Sequence, residues 1–403
     1  MVIVVEGLGT SLIGAYGSSG AVTPTLDRLA SRGMLLDNCF VDSLELPQQL
    51  TSMWTGRHAT QDAQLDWTIW RALSAQKIPA RLITDCRAVA EVAQQLGCSD
   101  VTLIDVPPPN QLADEPEQCV VTEVFSAAIE EILSADSSGL VWVHSRGLCI
   151  PWDAPAGLRT RMIDPEDPEP PMEVALPLAK VDTNTDPDLV VGWGQVATAQ
   201  AAVIDQAIEA LQTAIQSRAD AKSWSWLITS LGGYPLGEHG QIGWLRRQMY
   251  HEEIAVPAIV YSPKKQQSGV RRGELCQLPD LCAILLECLG YDPPESMWGR
   301  SLLAESAPTA STQWPHEHLL VWLGEPSCGW IRCPAWSMLQ VDGGMPQLFV
   351  KPDDRWEVND VSNLRRDLVE QLQQLMMVAF NTAREGNRAA LPMLDREFCE
   401  FCR

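Results

Sequence analysis

Several side chains that could act in acid–base or nucleophilic chemistry follow segments that the sequence predicts to be buried strands. Glu6 ends one apolar run, His144 ends a second, and Glu45 follows a third. Because ligands bind at the carboxyl ends of the strands in an open α/β sheet, we expect a ligand site there. A carboxylate nucleophile supported by histidine and by the guanidinium of Arg57 could hydrolyse an ester. For Glu6 and His144, the alternative is a structural hydrogen bond at a strand end.

The composition is that of an acidic protein with enough apolar residues for a sizeable core. The chain has 403 residues, is 46% hydrophobic, and carries 29 basic and 52 acidic residues, for a net charge of −23. This field repels nucleic acid, anionic membranes and sulfated glycans. No apolar run reaches the ~18 residues of a membrane helix. We therefore expect no nucleic-acid and no membrane partner, and the ligand or protein partner is unknown.

The start of the chain and its cysteines bear on location. The chain opens on a strand-like run without a secretory signal, which predicts a cytoplasmic protein. Several of the twelve cysteines lie in apolar runs, which is typical of buried thiols in a reducing compartment. A zinc site made by two closely spaced cysteine pairs is a weaker alternative, because the spacing within the first pair is wider than in a standard zinc knuckle. The four cysteines concerned are Cys328, Cys333, Cys399 and Cys402. His316 and His318 suggest a metal only weakly, since no third ligand is near in sequence.

The segment Val41–His58 resembles the nucleophile segment of the sulfatases, in the alkaline-phosphatase-like superfamily. The family's Thr-Gly-Arg tail is present and ends at Arg57. Counting back from this tail places the nucleophile position at Leu46, whereas anchoring on Pro47 with one inserted residue places it at Glu45. Neither side chain can become the formylglycine that the family uses, and neither is a serine. The resemblance therefore implies the scaffold without its nucleophile.

The resemblance also implies where calcium or magnesium would bind. In sulfatases, two acidic residues follow the first strand, and an Asp-His pair follows a later strand. The corresponding residues here are Glu6 with Gly7, and Leu231 with Gly232. A hard cation needs several oxygen ligands, and one carboxylate does not hold one. We therefore expect no metal and no other cofactor.

A few family positions retain polar side chains. The Gly-Glu-His-Gly motif is intact and contains His239, and Arg246 stands where the family has a basic residue. His144 is the best surviving candidate for a functional side chain. The lysine and histidine that contact sulfate in many sulfatases correspond to Asp85 and Arg87, and a carboxylate would repel a sulfate. For Arg246, an exposed surface charge is an equally good interpretation.

The resemblance covers nearly the whole chain and implies an α/β fold with a mainly parallel central sheet flanked by helices. It predicts a sulfatase-like domain at residues 1–305. A polar segment follows, and then residues 316–403 have the pattern of a small antiparallel sheet with a helix packed on it. Fold alone does not give function, because function depends on the site.

Three functions are compatible with this sequence. The first is a sulfatase-like pseudoenzyme that binds or acts as a scaffold, which the combined loss of nucleophile and metal ligands favours. The second is an active hydrolase of sulfuric or phosphoric esters with a rearranged site. The third is a binder of small molecules or peptides in a cleft made more apolar by four residues, Leu46, Trp54, Trp152 and Leu231.

Overall fold

The computed structural model describes residues 1–61, 66–134, 139–161, 163–164, 166–264, 268–303, 318–322, 328–341 and 343–400. The strands are β1 (Val2–Val5), β2 (Met34–Phe40), β3 (Ala80–Thr84), β4 (Asp100–Leu103), β5 (Leu140–Ser145), β6 (Ala179–Lys180), β7 (Trp226–Thr229), β8 (Gln241–Ile242), β9 (Ala258–Tyr261), β10 (Val270–Gln277), β11 (Leu319–Trp322), β12 (Gly329–Arg332), β13 (Trp336–Gln340) and β14 (Gln347–Val350).

The α-helices connect and cover these strands. They are α1 (Pro24–Arg32), α2 (Leu46–Thr55), α3 (Ile69–Ala75), α4 (Arg87–Gln95), α5 (Glu123–Ser134), α6 (Ala156–Arg161), α7 (Pro187–Gln216), α8 (His251–Ile254), α9 (Leu278–Leu289), α10 (Arg366–Arg384) and α11 (Arg396–Cys399). None of the helices in the described part of the chain combines the length and the apolar character that a membrane span requires.

Eight strands form the central sheet, in the order β10-β2-β9-β7-β1-β5-β3-β4. The pairs β7-β1, β1-β5, β5-β3 and β3-β4 are parallel, whereas β9 runs antiparallel to both β7 and β2. Every residue of β1 and β5 is buried, as expected of strands covered by helices on both faces. The predicted fold class, with a mainly parallel central sheet flanked by helices, is confirmed.

Two compact units divide the chain. The first contains residues 1–37, 70–246 and 256–272, and the second contains residues 38–69, 247–255 and 273–403. In the first unit, α5 and α7 pack on the parallel strands, and their apolar faces form one continuous core with β1 and β5. The long helix α7 begins at Pro187, where the Asp186 carboxylate accepts a hydrogen bond from the Asp188 amide at 3.1 Å.

The second unit contains a separate four-stranded antiparallel sheet, in the order β11-β12-β13-β14. Helix α10 packs on this sheet through apolar residues such as Leu372 and Phe380, and the Phe380 ring stacks on Trp322. The predicted antiparallel C-terminal sheet with its helix is confirmed. The predicted domain boundary lies in residues 304–317, outside the described residues, so the limits 1–305 and 316–403 stay predictions.

Candidate functional site

The positions that correspond to the family's metal ligands lie side by side in the first unit. Glu6 and Gly7 follow β1, and Leu231 and Gly232 follow the neighbouring parallel strand β7. A bridge pairs Gly7 with Gly233, and the Tyr234 amide donates to the Gly7 carbonyl at 3.1 Å. The carboxyl ends of these two strands therefore bring together the residues that the family resemblance assigned to the metal-ligand positions.

The donor set at this edge does not fit a divalent cation. Of the four positions, only Glu6 has a side chain that could ligate a metal, because the others are leucine and glycine. Within the described residues, there is no group of three or more His, Cys, Asp and Glu side chains that could hold a metal ion. Calcium and magnesium require several oxygen ligands.

The backbone at the two glycine positions also disfavours larger side chains. Gly7 has φ +77° and Gly232 has φ +144°, which are conformations that side-chain-bearing residues rarely adopt. A Cβ on Gly7 would also lie 3.0 Å from the Cβ of Leu148. An aspartate or histidine at these positions would therefore strain the present structure. The backbone at this edge therefore favours glycine at both positions.

Glu6 is held by a buried histidine on the adjacent strand. The parallel register pairs Val4 of β1 with His144 of β5, and His144 Nε2 lies 2.8 Å from Glu6 Oε1. The His144 side chain is fully buried, whereas the Glu6 side chain is 16% exposed. His144 Nδ1 is buried without a hydrogen-bond partner. These two predicted residues thus form one pair at the sheet edge.

A second polar pair lies one strand further along the same edge. Asp85 follows β3, and its Oδ1 accepts a hydrogen bond from the Arg146 amide at 2.8 Å. The Arg146 Nε lies 3.3 Å from Asp85 Oδ2, which makes an ion pair. Burial raises the pKa of Asp85, while its contacts with Arg146 lower it. Arg87 begins α4 and is exposed. Asp85, at the position that contacts sulfate in many sulfatases, therefore pairs with Arg146. The sequence did not predict this partner.

The nucleophile positions of the family lie at the start of α2, in the second unit. Glu45 is the exposed N-cap residue and its side chain makes no capping hydrogen bond, while Leu46 opens the helix and is half-buried. Gln49 in the first turns of this helix is buried, and its Nε2 donates to the Ser43 carbonyl at 2.7 Å. The structure therefore has the helix start, but neither Glu45 nor Leu46 is a serine or can become a formylglycine.

The end of α2 shows what the intact Thr-Gly-Arg motif does for the backbone. Gly56 has φ +66°, and its amide donates to the Ser52 carbonyl at 2.9 Å, which closes the helix. Its carbonyl accepts hydrogen bonds from the Trp298 and Gly299 amides, both at 2.9 Å. The Arg57 amide donates to the Thr55 hydroxyl at 3.2 Å. Each of these contacts is structural.

A buried carboxylate that the sequence analysis did not single out supports the same helix. Asp42 is fully buried, and its Oδ2 accepts hydrogen bonds from the Ser52 hydroxyl at 2.6 Å and from the Ala59 amide at 2.8 Å. Burial raises the pKa of Asp42 to about 7, against the lowering effect of these bonds. In the sequence, the burial of Asp42 is indicated only by its position directly after the apolar residues Phe40 and Val41.

Another buried network of the second unit surrounds Asp280. Its carboxylate accepts hydrogen bonds from the Gln277 and Arg300 amides, both at 2.8 Å, and faces the Arg388 guanidinium at 3.5 Å. His58 is also buried, with Nε2 lying 3.1 Å from the Leu320 carbonyl, and burial lowers the pKa of His58 to about 4. These ionisable groups stabilise loops and helix ends.

The intact Gly-Glu-His-Gly motif forms a tight turn in the first unit. Its Glu238 carboxylate accepts a hydrogen bond from the Leu236 amide at 2.6 Å, and His239 adopts a left-handed conformation with φ +47°. Arg246 is exposed, and its backbone exchanges hydrogen bonds with the Gln241 side chain at 3.1 and 3.3 Å. The Glu238 side chain of the motif therefore stabilises this turn by bonding to the backbone.

The tryptophans expected to line an apolar cleft are instead core residues. Trp54 and Trp152 are both fully buried, and Trp152 packs edge-on against Trp193 and Tyr234. Both rings are inaccessible to a ligand, so the prediction that they line the cleft is wrong. Leu231 is 8% exposed. The physical reason is the large apolar area of a tryptophan, which is stabilised by full burial.

The weaker metal predictions depend partly on residues outside the described part of the chain, which excludes Cys402 and His316. Cys328 and Cys333 are buried, and His318 is buried with a pKa lowered by burial to about 4. Zinc binding by the four cysteines stays a prediction.

With this geometry established, comparisons with known proteins define the fold. The sequence matches no protein-family model and no curated protein. The structure is similar to the phosphonate monoester hydrolase of Agrobacterium radiobacter, with a TM-score of 0.72 and 13% identity over 94% of this chain and 95% of that one. It is also similar to a 2-O GAG sulfatase, with a TM-score of 0.73 and 14% identity over 98% and 94% of the two chains.

A third neighbour belongs to the alkaline phosphatase superfamily and comes from Vibrio parahaemolyticus. Its TM-score is 0.60, with 12% identity over 96% of this chain and 87% of that one. At these identities the likeness establishes the fold. The chain therefore has a sulfatase/alkaline-phosphatase-like fold, as the sequence motifs predicted.

Proposed function

We propose that this protein is a sulfatase-like pseudoenzyme that binds a ligand or a partner and does not hydrolyse esters by the family's metal-assisted mechanism. The observation that carries the proposal is the backbone at the former ligand positions. Gly7 and Gly232 have positive φ angles, and Leu148 packs where a side chain at position 7 would begin. Simple side-chain loss would leave a backbone compatible with the ligands, whereas this backbone would be strained by them.

The loss of the metal ligands and the loss of the nucleophile support the same conclusion independently. Metal-assisted hydrolysis uses a cation to polarise the ester and to stabilise developing charge. A single carboxylate that contacts His144 cannot bind that cation, and the Leu46 side chain cannot attack an ester. Glu45 is exposed at the start of α2, so it is the only side chain of the two nucleophile positions that could react.

We place this function in a reducing compartment such as the cytoplasm. Cys39, Cys119, Cys276 and Cys282 are buried, and burial raises the pKa values of the Cys119, Cys276 and Cys282 thiols. Buried thiols of this kind are inert and packed as small apolar groups, which supports a compartment without disulfide formation.

Turnover assays test the proposal against the alternative of a hydrolase with a rearranged site. Purified protein would be incubated with aryl sulfate, phosphate and phosphonate esters, with added calcium or magnesium and with a chelator. We expect no release of the aryl alcohol above the level of a heat-denatured sample. Turnover that Glu45→Gln abolishes would overturn the proposal and establish the hydrolase. An exposed acidic residue with no role here, Glu295, provides the control variant Glu295→Gln.

A further inference from the structure

We propose that a cavity at the amino ends of β3 and β4 binds a small organic carboxylate through the ammonium group of Lys77. The cavity has a volume of about 290 Å³, which is close to the lower limit of about 300 Å³ for small-molecule sites. It lies in the first unit, at the end of β3 opposite to the end that Asp85 follows. This site is therefore separate from the former metal edge, and binding here does not depend on the loss of hydrolysis proposed above.

Two helices end beside this cavity, and the turns that close them form part of its walls. After α3, the Lys77 amide donates to the Ser74 carbonyl at 3.0 Å, and both residues line the cavity. After α4, the Gly97 amide donates to the Gln94 carbonyl at 3.1 Å, and Gly97 also lines the cavity. A cavity bounded by turns that are fixed in this way is largely preformed, as small-molecule sites usually are.

The polar side chains that line the cavity include three groups that can donate hydrogen bonds to an anion. Lys77 is exposed, and among the described residues no carboxylate pairs with its ammonium group. The lining also contains Ser74 and Ser99, whose exposed hydroxyl groups make no hydrogen bond to the described part of the chain. A carboxylate accepts hydrogen bonds from ammonium and hydroxyl groups, so these three side chains match its chemistry.

The charges beside the cavity favour an anion. Asp100 lines the cavity, but its Oδ2 lies 3.5 Å from Arg81 Nε, and Arg81 also pairs with Glu131. The Arg71 side chain crosses the lining at Gly97, since its Nε lies 3.1 Å from the position that a Gly97 Cβ would occupy. Together with Lys77, these groups have more positive than negative charges, in a chain whose net charge is −23. The cavity therefore attracts a small anion.

The rest of the lining selects the kind of anion. Ile78 is half-buried and Pro79 is exposed, so the lining offers apolar surface to an organic group. Burial raises the pKa of the Cys98 thiol to about 11, so this lining residue carries no negative charge at pH 7. Both α3 and α4 end here, and the partial negative charge at helix C-termini disfavours a doubly charged phosphate ester. A singly charged organic carboxylate fits these features.

The test uses three probes that share a phenyl ring and differ in charge: sodium benzoate, benzamide and phenyl phosphate. Saturation-transfer NMR titrations with the full chain measure the affinity of each probe. We expect saturable binding of benzoate, and binding of benzamide and phenyl phosphate that is about tenfold weaker. Lys77→Gln removes the positive charge with a small change of side-chain length and should weaken benzoate binding about tenfold.

Three further variants locate the site. Lys77→Arg keeps the charge and should retain most of the affinity for benzoate. Ser99→Phe places a large side chain at an exposed position of the lining and should abolish benzoate binding. Lys222→Gln removes another exposed lysine of the first unit, outside this cavity, and should leave binding unchanged. Circular dichroism and thermal unfolding establish that each variant is folded before it is titrated.

The outcomes for this site are distinct from those for the proposed function. Absence of saturable benzoate binding, equal affinity for benzoate and benzamide, or unchanged benzoate binding in Lys77→Gln or Ser99→Phe would overturn the carboxylate site. An equal loss in Lys222→Gln would also overturn it, because binding would then depend on charge without depending on the cavity. Tighter binding of phenyl phosphate than of benzoate would overturn the choice of a carboxylate. Ester turnover would overturn the pseudoenzyme proposal and leave the carboxylate site standing.

Discussion

The end of helix α2 and the edge formed by β1 and β7 both correspond to sulfatase motifs, but the two regions have changed differently. At the end of α2, Gly56 still closes the helix, and its carbonyl accepts two amide hydrogen bonds. At the strand edge, three of four ligand positions are glycine or leucine, and only Glu6 keeps a donor. At the end of α2 the motif residues bond to the backbone, whereas at the strand edge only one of the four positions has a side chain that could ligate a metal.

Two other buried carboxylates also bond to the backbone. The Asp205 carboxylate accepts hydrogen bonds from the Thr25 and Leu26 amides at the start of α1, at 3.0 and 2.8 Å. The Glu253 carboxylate accepts hydrogen bonds from the Gln248 and Met249 amides at 2.6 and 2.8 Å. Each carboxylate satisfies amides that would otherwise lack partners, so its loss would destabilise the fold.

The largest effect on stability should come from Asp280 in the second unit. Asp280→Ala removes the acceptor of two amide hydrogen bonds and the carboxylate that faces buried Arg388. We expect a loss of about 3–5 kcal/mol in the free energy of unfolding, because the charge of Arg388 then stays buried without this carboxylate. Denaturant unfolding of Asp280→Ala and of the exposed control Asp292→Ala measures it. Equal losses in the two variants would contradict the structural role.

The next effect is a pH dependence that arises from Asp42. Its pKa is raised to about 7 by burial, above the value of 3.8 expected in the unfolded chain. The folded protein therefore binds more protons than the unfolded one between these values, and stability falls as pH rises through this range. Asp42→Asn does not titrate, so the variant should gain about 2–3 kcal/mol relative to the unaltered protein between pH 5 and pH 7.

Urea unfolding of both proteins at several pH values measures this difference. Above about pH 8 the difference should become constant, because Asp42 is then largely ionised in both states. A difference between the two proteins that does not change from pH 5 to pH 7 would show that Asp42 ionises normally in the fold.

A smaller effect should follow from changing the glycine that closes α2. Gly56 has φ +66°, and an added Cβ would lie 2.6 Å from atoms of the Met297 side chain. We expect Gly56→Ala to lose about 1–2 kcal/mol of stability. Gly157, in α6, has open space around its Cβ position and provides the control Gly157→Ala. Retained stability in Gly56→Ala would remove the structural explanation for the intact motif.

The smallest effect on stability should come from the strand edge itself. Glu6→Gln places an amide of nearly the same shape beside His144 Nε2 and keeps one hydrogen bond there, so we expect a change below about 1 kcal/mol. Thermal unfolding at pH 7 provides the comparison with Asp280→Ala. A loss as large as that of Asp280→Ala would mean that Glu6 is retained for stability and would weaken the contrast between the two regions.

Much of the fold could be predicted because its signals are local. The apolar run that Glu6 ends predicted a buried strand, and the structure has β1 there with every residue buried. The pairing of Glu6 with His144 could not be predicted in the same way. It depends on the parallel register of β1 with β5, between residues that are 138 positions apart.

The buried polar residues were unpredictable for a related reason. Asp42, Asp280 and Arg388 have no periodic pattern that marks them as buried, and each is stabilised by partners that are distant in sequence or lie in loops. Trp54 and Trp152 show the opposite error, because their positions within family motifs suggested a cleft while their size favours the core. Local patterns therefore give the elements, and tertiary packing decides the role of single polar or aromatic residues.

The most direct test of the central claim is thermal unfolding of the unaltered protein with and without calcium or magnesium at about 5 mM, since a ligand that binds the folded state raises the unfolding temperature. The strand edge has one carboxylate, and two of its positions are glycines with positive φ angles, so we expect the temperatures to agree within error. A rise of several degrees that Glu6→Gln abolishes would contradict the claim, because it would place a metal ion at the end of β1.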